Sequence, residues 1–207
     1  MQPTNNCQLN PLLEIRLVET AEEREQVFKL RYKVYIEEMG KTSHYADDKH
    51  KTIIEHLDSS AKIFAAFSNG QVVGTARTNL SRASNLDLYT QLYKMDEIVG
   101  DAHPEYTSVG GKLIVQKDFR GKQIAIKLIK TLYQYLLQEG IKFDFSECDA
   151  ELVSYYNKLG YQSVGTLYHP EYGEGTVIML DVFNWEYLER VNSPLKDIGK
   201  TLISGQI

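Results

Sequence analysis

Leu113-Ile-Val-Gln-Lys-Asp-Phe-Arg-Gly-Lys-Gln-Ile-Ala-Ile-Lys-Leu-Ile129 is the stretch that decides the fold. It reads as a strand, a turn at Arg120-Gly121, and the start of a long amphipathic helix. Ala125, Leu128, Ile129, Leu132 and Leu136 line one helical face; Lys127, Lys130, Gln134 and Gln138 line the other. The pattern predicts a helix over Lys122–Gln138, ended by Gly140. A helix N-terminus presents unpaired N–H groups and a partial positive charge. Aimed outward by a turn, those groups form an anion site, usually for phosphate. Further along, Tyr155-Tyr156-Asn157-Lys158-Leu159-Gly160-Tyr161 reads as the end of a second helix, stopped by glycine.

Working outward, the periodicity predicts a strand at Ile15–Val18. A capping box follows, with Thr20 as cap and Glu23 three residues on, opening a helix that Gly40 ends. His44–Lys51 is charged and reads as a loop. Lys62–Phe67 and Gln71–Arg77 read as strands joined by an Asn69-Gly70 hairpin turn. A helix is expected over Leu86–Met95 and a strand over Thr107–Val115. After the long helix come a strand at Lys142–Ser146, a helix capped by Asp149, and strands near Ser163–Tyr168 and Thr176–Val182. From Trp185 a helix and a disordered end are expected. The order β-α-β-β-α-β-α-β-α-β-β implies an α/β (α+β) fold, a mixed central sheet with helices on both faces. The expected division is a flexible leader over 1–13, one domain over 14–183, and a helix and tail over 184–207.

The chain has 207 residues, 43% hydrophobic and 25% charged, which suits one domain with a sizeable core. A net charge of −5 points away from general nucleic-acid binding. Charge is nevertheless uneven. Lys112, Lys117, Arg120, Lys122, Lys127, Lys130 and Lys142 face only Asp118 and Glu139 within their stretch. Such a basic face suits an anionic cofactor or an acidic carrier partner, or is simply a solvated helix face. Cys7 and Cys148 are far apart, with neither a disulfide framework nor metal-ligand spacing. No metal is expected. No apolar run reaches the length of a membrane span, and the N-terminus lacks a signal-peptide core, so a cytoplasmic protein is expected.

These motifs, in this order, resemble the GNAT N-acyltransferase superfamily over roughly residues 14–183. The acyl-CoA signature of that superfamily, Arg/Gln-x-x-Gly-x-Gly/Ala after a Leu-x-Val strand, is matched by Leu113-Ile-Val115 and Arg120-Gly121-Lys122-Gln123-Ile124-Ala125. Gln123 stands where the family has its first glycine. Leu30-Arg31, Glu37-Glu38-Met-Gly40, His56-Leu57-Asp58 and Val73-Gly74-Thr-Ala-Arg77 are similar to one branch of the superfamily. That branch holds the autoinducer (acyl-homoserine lactone) synthases and the long-chain N-acyl amino acid synthases. His169-Pro-Glu-Tyr-Gly173 looks more like the latter. The Glu-x-x-Arg of the autoinducer synthases is missing, with Val109 and Lys112 in its place.

The resemblance implies transfer of an acyl group, long-chain by this branch, to the amine of an amino acid or similar small molecule. The donor would be acyl-CoA or an acyl-phosphopantetheine on acyl carrier protein. Backbone N–H groups of Gly121, Lys122, Gln123, Ile124 and Ala125 would hold the phosphate, with charge from Arg120 and Lys122. The backbones of Leu113 and Val115 would run along the pantetheine. Tyr156 would protonate the leaving thiolate; an ordinary tyrosine, with a pKa of about 10, is protonated at neutral pH. Glu147 and Asp144, at or near a strand end, Glu97 and Glu105, before the central strand, and a water relay are equal candidates for the general base, with His169 a weaker one. Arg31 and Arg77 would bind the acceptor's carboxylate or organise its loop, or else pair internally with Asp47, Asp48 or Asp58. Two other activities fit the same motifs: acetyl transfer from acetyl-CoA, and acyl-CoA binding without catalysis.

Overall fold

A computed structural model describes residues 13–203. The expected leader up to residue 12, with Cys7, and the end of the tail from residue 204 lie outside the described residues. Strand β1 is Leu13–Leu17 and helix α1 is Ala21–Tyr32, which widens into a π turn over Lys33–Glu38. The hairpin β2 (Lys62–Ser68) and β3 (Gln71–Leu80) follows, then α2 (Asp87–Tyr93) and α3 (Met95–Val99). The second half runs β4 (Thr107–Val115), α4 (Ile124–Gln138), β5 (Phe143–Cys148), α5 (Val153–Leu159), β6 (Gln162–His169) and β7 (Gly173–Asp181). Helices α6 (Trp185–Arg190) and α7 (Lys196–Ile203) close it.

The strands form one seven-stranded sheet in the order β1-β2-β3-β4-β5-β7-β6. It is the expected mixed sheet with helices on both faces. Alternation along β2 shows how it is covered. Ile63, Ala65 and Phe67 pack with Val27, Leu30 and Val34 of the α1 segment. Phe64 and Ala66 turn to the other face, against Leu128, Leu132 and Leu136 of α4. A period of two meets a period of 3.6 on each side. A third cluster joins Tyr89, Tyr93 and Met95 to Val109, Phe145 and Val177. Among the described residues no helix is long and apolar enough to cross a membrane.

Local chemistry explains the boundaries. Thr20 and Glu23 form the capping box, and Asn69 and Gly70 turn the hairpin with φ of 51° and 78°. The helix expected over Leu86–Met95 is cut in two by Lys94, at φ 53°. Within the expected loop His44–Lys51, Ala46–Asp47 pairs with Thr52–Ile53 as a two-residue ladder. Helix α4 starts two residues later than its periodicity predicts, because Gln123 takes a left-handed conformation (φ 58°) and caps it. Asp149 precedes a 3-10 turn, Ala150–Leu152, and its side chain makes no capping bond; the helix proper starts at Val153.

One pair of strands differs from the rest. β4 and β5 are parallel, and their ladder covers only Thr107–Phe143, Ser108–Asp144 and Val109–Phe145. Beyond Val109 they part. β5 stays paired to β7 through Cys148, and β4 stays paired to β3 through Val115. Between Gly111 and Ile114, β4 carries two residues opposite one on β3, a β-bulge, with Lys112 at φ 53°. Asp144 forms the wedge at the parting: a Cβ on Gly110 would come within 3.2 Å of its Oδ2.

Gly160 ends α5 at φ 107°, and a Cβ there would fall 2.3 Å from Cδ2 of the buried Leu188. Gly160→Ala should therefore lower the stability to urea by about 2–3 kcal/mol, from strained backbone plus displaced packing. Chemical denaturation followed by circular dichroism reads it.

Candidate active site

The parting of β4 and β5 opens a cavity of about 340 Å³. One wall is Gly110–Val115 and the other Ser146–Asp149; Val34, Tyr35 and Met39 from the first helical segment and Tyr156 from α5 complete its apolar end. Its polar end is lined by Glu55, Arg77, Lys112, Glu147 and Tyr172, with Tyr89 and Tyr93 behind them. Ser146 Oγ still donates to the Gly110 carbonyl (3.1 Å), but from Gly111 onward the edge of β4 that faces β5 has no strand partner, so its backbone is open to a ligand.

Leu113, Val115 and Arg120 from the signature stretch line this cavity. Arg120 is already engaged: its Nε donates to the Val115 carbonyl (2.9 Å) and its Nη2 to Glu38 (2.6 Å). Gly121, Lys122, Gln123, Ile124 and Ala125 do not line it. They form the turn beyond it, where Lys122 Nζ lies 4.7 Å from the centre of the Phe119 ring and Ile124 is buried against Gly74. Two positive φ angles shape the turn, 78° at Gly121 and 58° at Gln123. The second is a conformation in which glycine is at ease and glutamine is strained.

Glu147 and Tyr156 both face the cavity. Burial pushes the Glu147 carboxyl up to about 7, against the pull of nearby Lys112, and its Oε2 is buried without a hydrogen-bond partner. A carboxyl poised there takes up and releases protons at neutral pH. Burial also raises the Tyr156 phenol well above its ordinary range, so it keeps its proton. Its ring meets Tyr155 and Tyr161 edge-on, at 5.6 and 5.5 Å between centres. Asp144 lies at the wedge instead of in the cavity lining, with burial raising it to about 6 while Ser108 Oγ (2.6 Å) and Tyr161 OH (2.7 Å) donate to it. Glu97 and Glu105 are exposed and near Lys94 and Arg82. His169 is buried and structural: its Nδ1 accepts from the backbone N–H of Glu171 (3.1 Å) and Tyr172 (3.3 Å), and its ring stacks on Tyr172.

Arg31 and Arg77 belong to a buried ionic chain. Arg31 Nη1 donates to Asp58 Oδ2 at 2.7 Å, and Arg77 Nη1 reaches Glu55 Oε2 at 2.6 Å and Asp58 Oδ1 at 3.3 Å. Asp47 and Asp48 bond His50 and Tyr32 instead. Arg31 is fully buried away from the cavity, whereas Arg77 lines it. The chain continues to Lys112 Nζ, which pairs with Glu55 Oε1 and donates to Tyr172 OH (2.8 Å), while Tyr172 OH also contacts Glu55. Burial would raise the Glu55 and Asp58 carboxyls, but Lys112, Arg77 and Arg31 outweigh it and hold both low. Sequence reasoning missed Glu55, Tyr89, Tyr93 and Tyr172 as lining residues. The one available signal was Tyr172 within His169-Pro-Glu-Tyr-Gly173; Glu55 carries no motif.

Among the described residues the mixed sheet has one parallel pair and opens there, a fold it shares with solved N-acyl amino acid and acyl-homoserine lactone synthases. The profile of the family described as N-acyl amino acid synthase FeeM matches residues 26–180, and the chain belongs to that family. It is an N-acyltransferase. Among solved structures it is similar to FeeM, an N-acyl amino acid synthase from uncultured soil microbes, at a TM-score of 0.66 and 17% identity over 91% of this chain and 98% of that one. BjaI, a CoA-dependent acyl-homoserine lactone synthase solved with SAM and isopentyl-CoA, gives 0.63 and 14%, over 88% and 91%. LasI, also an acyl-homoserine lactone synthase, gives 0.64 and 13%, over 83% and 91%. At these identities the structures speak for the fold. No curated protein sequence matches the chain.

Truncating Asp58 to alanine leaves Arg31 buried and unpaired. The cost expected is about 3–5 kcal/mol. A fall in the urea midpoint for Asp58→Ala, several times larger than for Asp47→Ala at the surface, is the measurement that checks it.

Proposed function

We propose that this enzyme transfers a long acyl chain from a phosphopantetheine thioester, on CoA or on acyl carrier protein, to the amine of an amino acid. The observation that carries the reading is the opening between β4 and β5, which joins a free strand edge to a buried carboxyl near pKa 7. The pantetheine lies along Leu113–Val115 as an added strand. The turn from Arg120 to Ala125 takes the phosphates through backbone N–H groups, with Lys122 adding charge. Glu147 removes the proton from the incoming ammonium. The freed amine attacks the thioester carbonyl, and backbone N–H groups of the β4 edge steady the developing oxyanion. When the tetrahedral intermediate collapses, the C–S bond breaks, the amide forms, Tyr156 protonates the thiolate, and the second proton lost by the nitrogen restores the Tyr156 phenol. Arg31 and Arg77, tied to Asp58 and Glu55, organise the loop that closes the acceptor end.

One observation favours a second reading, transfer of a short acyl group from acetyl-CoA or a close analogue. The cavity volume of about 340 Å³ is near the low end for small-molecule sites. A long chain would have to leave it past the exposed Met39 and Leu152. Mass spectrometry separates the readings: protein is offered acetyl-CoA, palmitoyl-CoA and palmitoyl-acyl carrier protein, each with mixed amino acids. Long-chain N-acyl amino acids are the expected product; acetylated products alone would establish the second reading.

Glu147→Gln should lower kcat by about 100-fold or more, and Tyr156→Phe by about 10-fold or more with donor affinity kept. The wild-type rate should climb as pH rises through about 7, because Glu147 must be ionised to act. The same carboxyl is raised above its unfolded value, so it favours the fold below about pH 4.5 and loses that contribution as pH rises toward 7. Glu147→Gln should flatten both profiles over that window. Gln123→Gly relieves the left-handed strain and should tighten CoA binding, read by calorimetry.

A further inference from the structure

The buried ionic chain does not balance. Arg31, Arg77 and Lys112 share two carboxylates, Glu55 and Asp58, which leaves one positive charge in excess. The excess falls at the cavity end. Arg31 is sealed behind the carboxylates; Arg77 and Lys112 both line the cavity, but Arg77 lies between two carboxylates and Lys112 pairs with Glu55 alone. Its ammonium has three donors. Glu55 and Tyr172 take two of them. The fold goes to some trouble to put it there. Lys112 sits in the bulge of β4 at φ 53°, a strained conformation for lysine, next to Gly110 and Gly111. Its Nζ is 4.4 Å from the centre of the Tyr172 ring and 5.5 Å from that of Tyr35, and its side chain is only 10% exposed. A lysine desolvated to this degree attracts an anion far more strongly than one in water. Glu147 lines the same cavity and holds an unpartnered carboxyl oxygen.

We propose that Lys112 binds the carboxylate of the acceptor and so makes the enzyme select α-amino acids over amines or amides of the same side chain. The assignment rests on the acyl-transfer reading of this cavity and adds its acceptor determinant. A free α-amino acid carries an ammonium and a carboxylate on one carbon. The carboxylate supplies the negative charge the chain lacks, beside Lys112. The ammonium turns to Glu147, which takes its proton. Arg77 contributes to the field from beside it: its Nη1 is shared by Glu55 and Asp58, while its Nε is buried without a partner. Tyr172 holds Lys112 in place, and is itself held by the loop that His169 ties down.

The test offers each proteinogenic amino acid, and separately its α-amide, to the enzyme with palmitoyl-CoA, palmitoyl-acyl carrier protein or acetyl-CoA, and reads initial rates by mass spectrometry. Wild type should favour the best acid over its amide by at least tenfold in kcat/KM. Lys112→Gln should bring that ratio toward one, through KM for the acid, and Lys112→Arg should restore most of it. A wild type indifferent to the amide, or a Lys112→Gln variant that keeps the preference, overturns the assignment while leaving acyl transfer intact. No acylated product of any kind overturns the acyl-transfer reading itself, and this assignment with it. If Lys112→Gln fails to fold, Tyr172→Phe carries the test. It keeps the ring and removes the hydroxyl, and should cut the ratio at least threefold; an unchanged ratio overturns the proposal.

Discussion

The cavity of this protein depends on β4 and β5 pairing for three residues and then separating. A parallel ladder held to its full length would bury both strand edges and leave no cavity. Two features keep the strands apart. Asp144, fully buried and bonded by Ser108 and Tyr161, occupies the fork. The bulge at Lys112 turns β4 away while its other edge stays paired with β3. The unpaired backbone of β4 is costly unless a ligand or water satisfies it. A donor that lies along this edge as an extra strand would meet that cost by the same bonds that position its thioester.

The charges around the opening are organised by burial. Arg31 and Asp58 are almost without solvent, and so are Arg77 and Glu55. Desolvation of this kind makes each pair weak as a source of net stability, yet makes the loss of any one partner expensive. The chain therefore holds the Glu55–Asp58 loop rigidly against β3 and carries its residual charge to the cavity. Glu147 has the opposite fate. Its one close cation, Lys112, is already bound to Glu55, so burial dominates and its carboxyl stays near neutrality. The two carboxyls thus shift in opposite directions because one is surrounded by cations and the other is not.

Much of the fold was legible along the chain. The capping box at Thr20, the Asn69-Gly70 turn and the apolar stripe of α4 are short-range signals, and each produced the element expected. Two departures from the expected elements trace to a left-handed residue: Lys94 splits one helix and Gln123 delays another. Neither residue type announces that conformation, because tertiary packing, not local preference, imposes it.

The sequence by itself determined most of the order of strands and helices and the glycines that end α4 and α5. These follow from periodicity and turn chemistry, which act within a few residues. Only the tertiary structure decided which charged groups meet. Glu55 reaches Arg77 on β3, Lys112 on β4 and Tyr172 on the last hairpin, all distant in the chain. Whether a glutamate is a poised base or a silent counter-ion depends on the solvent and charge around it, and three-dimensional packing alone sets those.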